Sequence, residues 1–155
     1  MRRPYPLREM ILNRQRKVRL ARRPFEGFLR RIQRELGVAD SEITVAFVSD
    51  REIARWNADY RGKPGPTDVL SFPAAYGARH SAAKSSAQGR EILGDIAIAP
   101  ETARRYARKN GRSLANEIRV LMLHGVLHLM GYDHESDNGQ MNKIEHRLRR
   151  RLGIA

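Results

Sequence analysis

The sequence predicts an α+β fold, a small mixed β-sheet of three to four strands packed with about five helices. Three observations predict this class. Apolar residues recur at helical spacing in separate segments, and β-branched runs of strand length lie between them. No internal repeat, heptad series or second composition divides the chain. A length of 155 residues is that of one domain, so we expect a single domain over residues 1–155.

The first elements are predicted to be an edge strand, an amphipathic helix and a buried strand. Residues 10–12 could begin the edge strand within a basic and weakly patterned stretch. Pro24 is typical of a first helical residue, and Phe residues and leucines follow at helical spacing until Gly37. Residues 43–48 form a β-branched run of strand length.

A helix and two strands are predicted to follow. Ser49 has capping-box spacing to Glu52, and the helix should end near Gly62, where glycines and prolines exclude regular structure. Residues 67–72 and 93–99 are the next strands. The alanine- and serine-rich segment between them has almost nothing to bury, so we expect a mobile loop over about residues 74–92.

The remaining chain is predicted to form three helices. Pro100 opens the first, which should turn Ala103, Tyr106 and Ala107 inward and end at Gly111. Ser113 is a plausible N-cap for a central helix that is apolar nearly all round, as expected of a buried helix. Asp137 or Asn138 should cap a last amphipathic helix with an arginine-rich outer face.

Charge composition points to a polyanionic partner. Thirty Lys and Arg against seventeen Asp and Glu give a net charge of +13. Nucleic acid is the first candidate and an anionic membrane surface the second, although solubility alone is the simpler explanation. The outer face of the helix after Pro24 is either a solvated basic face or a surface that contacts RNA; its arginines are Arg30, Arg31 and Arg34.

Two absences limit the chemistry and the compartment. There is no cysteine, which excludes cysteine-ligated zinc and cysteine nucleophiles and fits a reducing compartment. No apolar run reaches about 18 residues, so we expect no membrane span. The first residues lack the apolar core of a secretory signal, and a cytoplasmic location is therefore expected.

Three histidines in and after the central helix predict a metal site. His124 and His128 are four residues apart, so their imidazoles lie on one helical stripe about one turn apart. Gly131 can take the left-handed conformation that ends a helix, and the reversing chain could return His134 to the same point. Three neutral imidazoles and a water form an open tetrahedral zinc site, with one ion per chain. The alternative is hydrogen-bonded core histidines, but burying unpaired imidazoles is costly and a metal explains them.

The spacing of these histidines matches that of metzincin proteases except at one position. Those enzymes carry the general-base glutamate directly after the first histidine, where this chain has Gly125. The pattern therefore supports the metal and disfavours peptide hydrolysis.

Three ordered motifs resemble those of the YbeY family of zinc-dependent single-strand endoribonucleases of ribosomal RNA maturation. They are H-G-V-L-H-L-M-G-Y-D-H at 124–134, N-A-D-Y-R-G-K-P-G-P-T-D-V-L-S-F-P at 57–73 and L-G-D-I-A-I-A at 93–99. The resemblance implies that the three histidines bind the metal and that Arg61 is needed for activity. It also implies a role in maturation of the 16S rRNA 3′ end and in ribosome quality control, with the small ribosomal subunit and the GTPase Era as partners.

Some features leave alternatives open. Pro64 stands where the family often has aspartate, which could alter the loop carrying Arg61 and Lys63. Arg61 would bind the scissile phosphate, or it is simply a favourable cation at a helix C-terminus. Lys63 is a weaker phosphate ligand. The rival function is a non-catalytic RNA-binding ribosome assembly factor in which zinc secures the fold.

Two acidic residues could orient an imidazole through its second nitrogen. Glu117 lies seven residues before His124, nearly on the same stripe, and Asp133 precedes the last histidine. Equally, Glu117 could be an ordinary first-turn acid that complements the helix dipole. No residue is identified as the general base.

Overall fold

The computed structural model describes residues 10–74, 89–133 and 135–154, and these contain four strands and five helices. The strands are β1 (Ile11–Asn13), β2 (Glu42–Phe47), β3 (Val69–Pro73) and β4 (Ile92–Ile98). The helices are α1 (Arg22–Glu35), α2 (Asp50–Arg61), α3 (Pro100–Asn110), α4 (Leu114–Leu129) and α5 (Gln140–Leu152). The predicted α+β class, with a small mixed sheet and about five helices, is confirmed.

The four strands form one sheet in the order β1-β2-β4-β3. β1, β2 and β4 are parallel, and β3 pairs antiparallel with β4 at the other edge. The register between β2 and β4 shifts at Glu42 and Ile43, where Ile92 and Gly94 are the successive partners. Gly94 has a φ of +143°, and a Cβ there would collide with the carbonyl oxygen of Phe72. The glycine of the L-G-D-I motif is therefore required by the close approach of β3.

Apolar side chains cover both faces of the sheet because alternate residues of each strand point to opposite sides. The larger core lies on one face, where α1, α4 and α5 contribute most of the helical residues. The smaller cluster lies on the other face against α2 and includes Ile53 and Trp56. Helix α4 is thus enclosed between the sheet and its neighbouring helices, which confirms the prediction of a buried central helix.

The residues that cap the helices are largely those predicted from the sequence. The Ser49 and Ser113 hydroxyls each accept a backbone N–H three residues on, at 3.1 Å. Gly62 and Gly111 end α2 and α3 in the left-handed conformation. At α5 the N-cap position is Gly139, but the Asp137 carboxylate accepts the N–H groups of Gly139 and Met141.

Three expectations were wrong in detail. Tyr106 is 44% exposed, because only Ala103 and Ala107 of its helix face the core. Helix α1 begins at Arg22, two residues before Pro24. The predicted loop over 74–92 is too long at its end: the Glu91 carbonyl already accepts the Glu42 N–H, and β4 begins at Ile92. The rest of that loop, residues 75–88, lies outside the described residues. Within the described part of the chain, no helix is long and apolar enough to cross a membrane.

Candidate metal centre

Helix α4 brings two imidazole nitrogens to one point. His124 and His128 are half-buried, whereas the residues around them on this helix are almost all fully buried. Their Nε2 atoms are 3.0 Å apart, and the ring centroids are 4.6 Å apart at an interplanar angle of 77°. The two side chains therefore converge as predicted, because they lie one turn apart on the same helix.

A carboxylate from another helix holds the first imidazole. The Nδ1 atom of His124 lies 3.1 Å from Oε1 of Glu145 on α5. Arg149, one turn further along α5, places Nη2 3.6 Å from the second carboxylate oxygen. Burial raises the pKa of Glu145, but its hydrogen bond to His124 and the nearby charges of His124, Arg149 and His146 outweigh burial and lower that pKa.

This contact determines which nitrogen of His124 is available. A carboxylate accepts a hydrogen bond, so Nδ1 carries the proton and Nε2 presents its lone pair toward His128. Two nitrogens at about 2.05 Å from one tetrahedral ion would lie ~3.3 Å apart, close to the observed separation. The pair and its carboxylate therefore fit an imidazole-bound metal.

The third predicted ligand, His134, lies outside the described residues. No group of three His, Cys, Asp or Glu side chains placed to hold a metal occurs within residues 10–74, 89–133 and 135–154. Three residues before His134, Gly131 has a φ of +97°, and the Tyr132 N–H returns to the Leu127 carbonyl at 3.1 Å. The helix thus ends at the predicted glycine, and ligation by His134 remains a prediction.

The charge of His124 also affects the pKa of Asp68, the residue just before β3. Burial raises the pKa of this carboxyl group, against the lowering effect of hydrogen bonds from the backbone N–H groups of Asp68 and Val69. The negative charge of Glu117 raises it further, whereas the charge of His124 lowers it. The charge of the first histidine is therefore felt by a half-buried acid on a neighbouring segment.

Gly125 occupies the place of the protease glutamate for a packing reason. A Cβ at this residue would lie 2.9 Å from two atoms of the Ile96 side chain on β4. The Ser71 hydroxyl on β3 also donates to the Gly125 carbonyl at 3.3 Å. Position 125 therefore faces the sheet, and the packing against Ile96 leaves no room for the glutamate that the proteases carry there.

Arg61 is the last residue of α2 and is exposed. The loop after it is anchored by Asn57, whose side-chain amide donates to the Gly65 carbonyl at 3.0 Å and whose own carbonyl accepts the Lys63 N–H. Lys63 is likewise exposed. Among the described residues, neither cation makes an ion pair, so both are available to an anionic ligand.

The two acids considered as histidine partners have other contacts. Glu117 is buried and accepts a hydrogen bond from Arg112 Nη1 at 2.9 Å. This contact fits the alternative interpretation, in which Glu117 is an ordinary acid of the first turn of α4. The Asp133 carboxylate accepts the Glu135 N–H at 3.0 Å. The carboxylate beside His124 is instead Glu145.

Sequence reasoning missed both Glu145 and Asp68. Glu145 interrupts the inward face of α5, and a charged residue in an apolar register is a signal of a buried partner. Asp68 lies within one of the motifs already singled out, T-D-V-L-S-F. Neither signal identifies the partner, because each contact joins segments far apart in the chain.

The chain is similar to proteins of one known family. The sequence model of the family described as Endoribonuclease YbeY matches residues 10–153. A protein named Endoribonuclease YbeY from Solibacter usitatus is 44% identical over 86% of this chain and 81% of its own length. One of the same name from Aquifex aeolicus is 41% identical over 70% of this chain and 67% of its own. The solution structure of a Thermotoga maritima protein has a TM-score of 0.60 and 26% identity, and the match covers 92% of this chain and 87% of that one.

Proposed function

The chain belongs to the YbeY family of endoribonucleases, and from this premise we propose that it cleaves single-stranded RNA at a metal held by His124, His128 and His134. The family match and the identity to named relatives make the protein an endoribonuclease of ribosomal RNA processing. The observation that carries the site is the 3.0 Å approach of two imidazole Nε2 atoms beside a carboxylate-bound Nδ1.

The donor set favours zinc. Neutral imidazoles are borderline ligands that suit Zn²⁺, and the chain offers no thiolate. We infer one Zn²⁺ per chain. A bound zinc ion supplies Lewis acidity to water and to a phosphate oxygen.

The chain's own side chains perform the remaining tasks. Glu145 keeps the proton on Nδ1 of His124 and so directs the lone pair of Nε2 toward the ion. Arg61 binds the scissile phosphate and stabilises the charge that develops there, since its guanidinium is exposed and its planar fork matches phosphate oxygens. Lys63 is a second, weaker phosphate ligand from the same anchored loop.

The biological setting follows from the family as a further part of the proposal. We propose maturation of the 16S rRNA 3′ end and ribosome quality control as the processes, with the small ribosomal subunit and the GTPase Era as partners. A cytoplasmic location and one domain over residues 1–155 fit these roles. The net charge of +13 supports a polyanionic substrate.

Metal content and RNA cleavage measured together test the centre. His128→Ala should lose both stoichiometric zinc and cleavage of single-stranded RNA. His146→Ala is the matched control, because this histidine is exposed on α5 and should keep both. A His128→Ala protein without metal that still cleaves would exclude metal catalysis, whereas a metal-loaded wild type that binds RNA but never cleaves would favour the assembly factor.

Arg61 is tested by separating turnover from metal binding. Arg61→Ala should lower kcat by about 10²-fold or more, the usual loss on removing one group that stabilises transition-state charge. Zinc content and the unfolding midpoint should be unchanged, because the side chain is exposed. Loss of metal or of the fold would assign Arg61 a structural role instead.

A further inference from the structure

A cavity lined by arginines lies at the junction of α1, α4 and the end of α5. It is a cavity of about 470 Å³ whose polar side chains are all arginines: Arg30, Arg31 and Arg34 on α1 and Arg119 on α4. Its floor includes Phe28 and the backbone of Gly153. We call it the arginine cavity.

Among the described residues, no acidic side chain neutralises the positive charge of the arginine cavity. No carboxylate lines it, and within the described chain Arg30, Arg31 and Arg34 make no ion pair. Glu35, the nearest acid along α1 to Arg34, is already bound to Arg151 at 3.0 Å. Four guanidinium groups around one concavity repel one another, so an anion there would be bound favourably.

A cavity of similar size, lined in part by the residues that follow β1, has acidic as well as basic side chains. It measures about 530 Å³ and its basic residues share the lining with Asp50 and Glu101. Arg14 there is paired with Glu52 at 2.9 Å, and Lys17 lies 3.8 Å from Glu101. The absence of acids from the arginine cavity is therefore not a general consequence of the high net charge.

Arg119 is held in place before any ligand arrives. Its guanidinium carbon lies 5.8 Å from the ring centroids of both Phe25 and Phe28, and Nη1 donates to the Asn116 side chain at 3.2 Å. Cation–π contact fixes the plane of the guanidinium and leaves its other N–H groups free to bind a phosphate as a fork. The cavity thus combines one fixed arginine with three exposed ones.

The arginine cavity is separate from the histidines. Arg119 precedes His124 and His128 by five and nine residues, which correspond to rotations of about 140° and 180° around α4 and separations of about 7.5 and 13.5 Å along its axis. The two sites therefore lie on different sides of α4. One RNA molecule could contact both only if it extended around the protein.

The lining selects phosphate rather than bases. Phe28 is buried, and the exposed large hydrophobics of the described chain, Tyr60 and Tyr106, are not in the arginine cavity. The described residues thus give the arginine cavity no exposed aromatic ring on which a base could stack. Arginine forks instead match phosphate oxygens whatever the sequence.

We propose that the arginine cavity binds the phosphodiester backbone of the substrate RNA outside the segment that is cleaved. This inference rests on the proposed function only in taking RNA as the ligand. Its role is to anchor a long substrate, so it should act on the affinity for RNA and leave the chemistry at the histidines unaltered.

A charge-matched pair of triple variants tests the proposal. Arg30→Gln/Arg31→Gln/Arg34→Gln removes three charges from the cavity, and Arg104→Gln/Arg108→Gln/Lys109→Gln removes three exposed charges from α3. RNA affinity is measured at several salt concentrations with single-stranded and duplex RNA. For single strands the cavity variant should lower the slope of log affinity against log salt by about 2, or ~0.7 for each lost contact. The α3 variant should leave that slope nearly unchanged.

Kinetics separate this proposal from the proposed function. For a long RNA the cavity variant should raise KM by about 10-fold or more and leave kcat unchanged. A tenfold rise corresponds to a loss of about 1.4 kcal/mol in binding free energy. For an RNA of about four nucleotides, the low end of single-strand site sizes, both constants should match wild type. If His128→Ala failed to stop cleavage, the proposed metal-dependent function would be wrong. The effect of the cavity variant on RNA affinity would still support the anchoring site.

Three outcomes would overturn the anchoring site. Equal losses in the two triple variants would show that net charge alone is sensed. Loss of binding to anionic phospholipid vesicles with RNA affinity intact would assign the surface to a membrane. Loss confined to one single-stranded sequence, with duplex RNA unaffected, would indicate base recognition instead of backbone contact.

Discussion

At the scale of single residues, the proposed metal centre depends on which nitrogen of His124 carries the proton. Neutral histidine carries its proton on one of two nitrogens, and only the other can bind a metal. The Glu145 carboxylate, 3.1 Å from Nδ1 of His124, makes that choice. His128 Nε2 then approaches the unprotonated nitrogen at 3.0 Å, an arrangement that a cation between the two would stabilise further.

Glu145→Gln should weaken zinc binding by about 10- to 100-fold, the usual effect of losing a partner behind a metal-bound histidine. The amide keeps the shape of the side chain but can present an N–H to Nδ1, which allows the wrong proton position. Competition with a zinc chelator measures the affinity directly. Glu35→Gln, which removes another helix-to-helix ion pair, should leave zinc affinity unchanged. Equal affinities of wild type and Glu145→Gln would contradict the positioning role.

Asp68 should make the metal-free protein less stable as pH rises. Its folded pKa is raised above 3.8, so between the two pKa values the folded chain holds a proton that the unfolded chain has lost. Stability is then greatest below the unfolded pKa and falls as pH rises through the folded pKa. Asp68→Asn should remove this fall. The free energy of unfolding of the variant, relative to that of wild type, should therefore increase between about pH 4 and neutrality.

Urea unfolding of metal-free protein at several pH values measures this difference. Asp59→Asn, a change at an exposed aspartate of α2, is the matched control for the loss of one carboxyl group. A stability difference between Asp68→Asn and wild type that does not vary with pH would show that burial does not hold Asp68 closer to its protonated form.

At the scale of elements, the close approach of α4 to the sheet places the histidines. Gly125 lets the helix lie against Ile96, which is 1% exposed and belongs to β4. His124 directly precedes this contact point, and His128 is one turn beyond it. The depth at which α4 packs therefore sets where both imidazoles stand relative to α5.

Gly125→Ala should lower the free energy of unfolding by about 1–3 kcal/mol, the usual cost of overpacking a tight core. The added Cβ would lie 2.9 Å from two atoms of Ile96, a branched and fully enclosed side chain. Thermal or urea unfolding measures the loss. Gly27→Ala is the control, because a Cβ at that α1 position meets nothing within 4 Å and should stabilise by roughly 0.5–1 kcal/mol. A neutral Gly125→Ala would mean that α4 is not held tightly against β4.

At the scale of the whole molecule, we expect the fold not to depend on the proposed metal. Apolar clusters cover both faces of the sheet, and the two histidines stand at the margin of the larger one. A chain of this size buries enough surface to fold without a metal. The zinc ion proposed for this site would therefore add stability through binding and would not create the core.

Chelation should lower the unfolding midpoint without unfolding the protein. At free zinc about 100 times its Kd, binding contributes ~2.7 kcal/mol, which for a chain of this size is roughly 5–10 °C. Scanning calorimetry with and without chelator measures the shift, and circular dichroism at 25 °C should be unchanged. His128→Ala should show no shift on chelation. A chelated wild type that is unfolded at 25 °C would make the zinc structural and favour the assembly factor.

Most of the secondary structure could be predicted from the sequence because its causes are local. Helical spacing, caps at Ser49 and Ser113 and glycines at the helix ends all act within a few residues. The same is true of His124 and His128, because one helical turn is enough to bring them together. Tyr106 was placed wrongly because the direction in which α3 faces depends on α4 and the sheet, not on its own pattern.

What the sequence determined by itself was the class of fold, the pair of histidines and, through three motifs, the family. Only the tertiary structure decided which acid serves His124, since Glu145 is 21 residues away on another helix. It also decided why residue 125 is glycine and that α1 and α4 together form an arginine cavity. The physical reason is common to all three: each depends on the packing of segments distant in sequence, and periodicity reports only which face of a segment is buried.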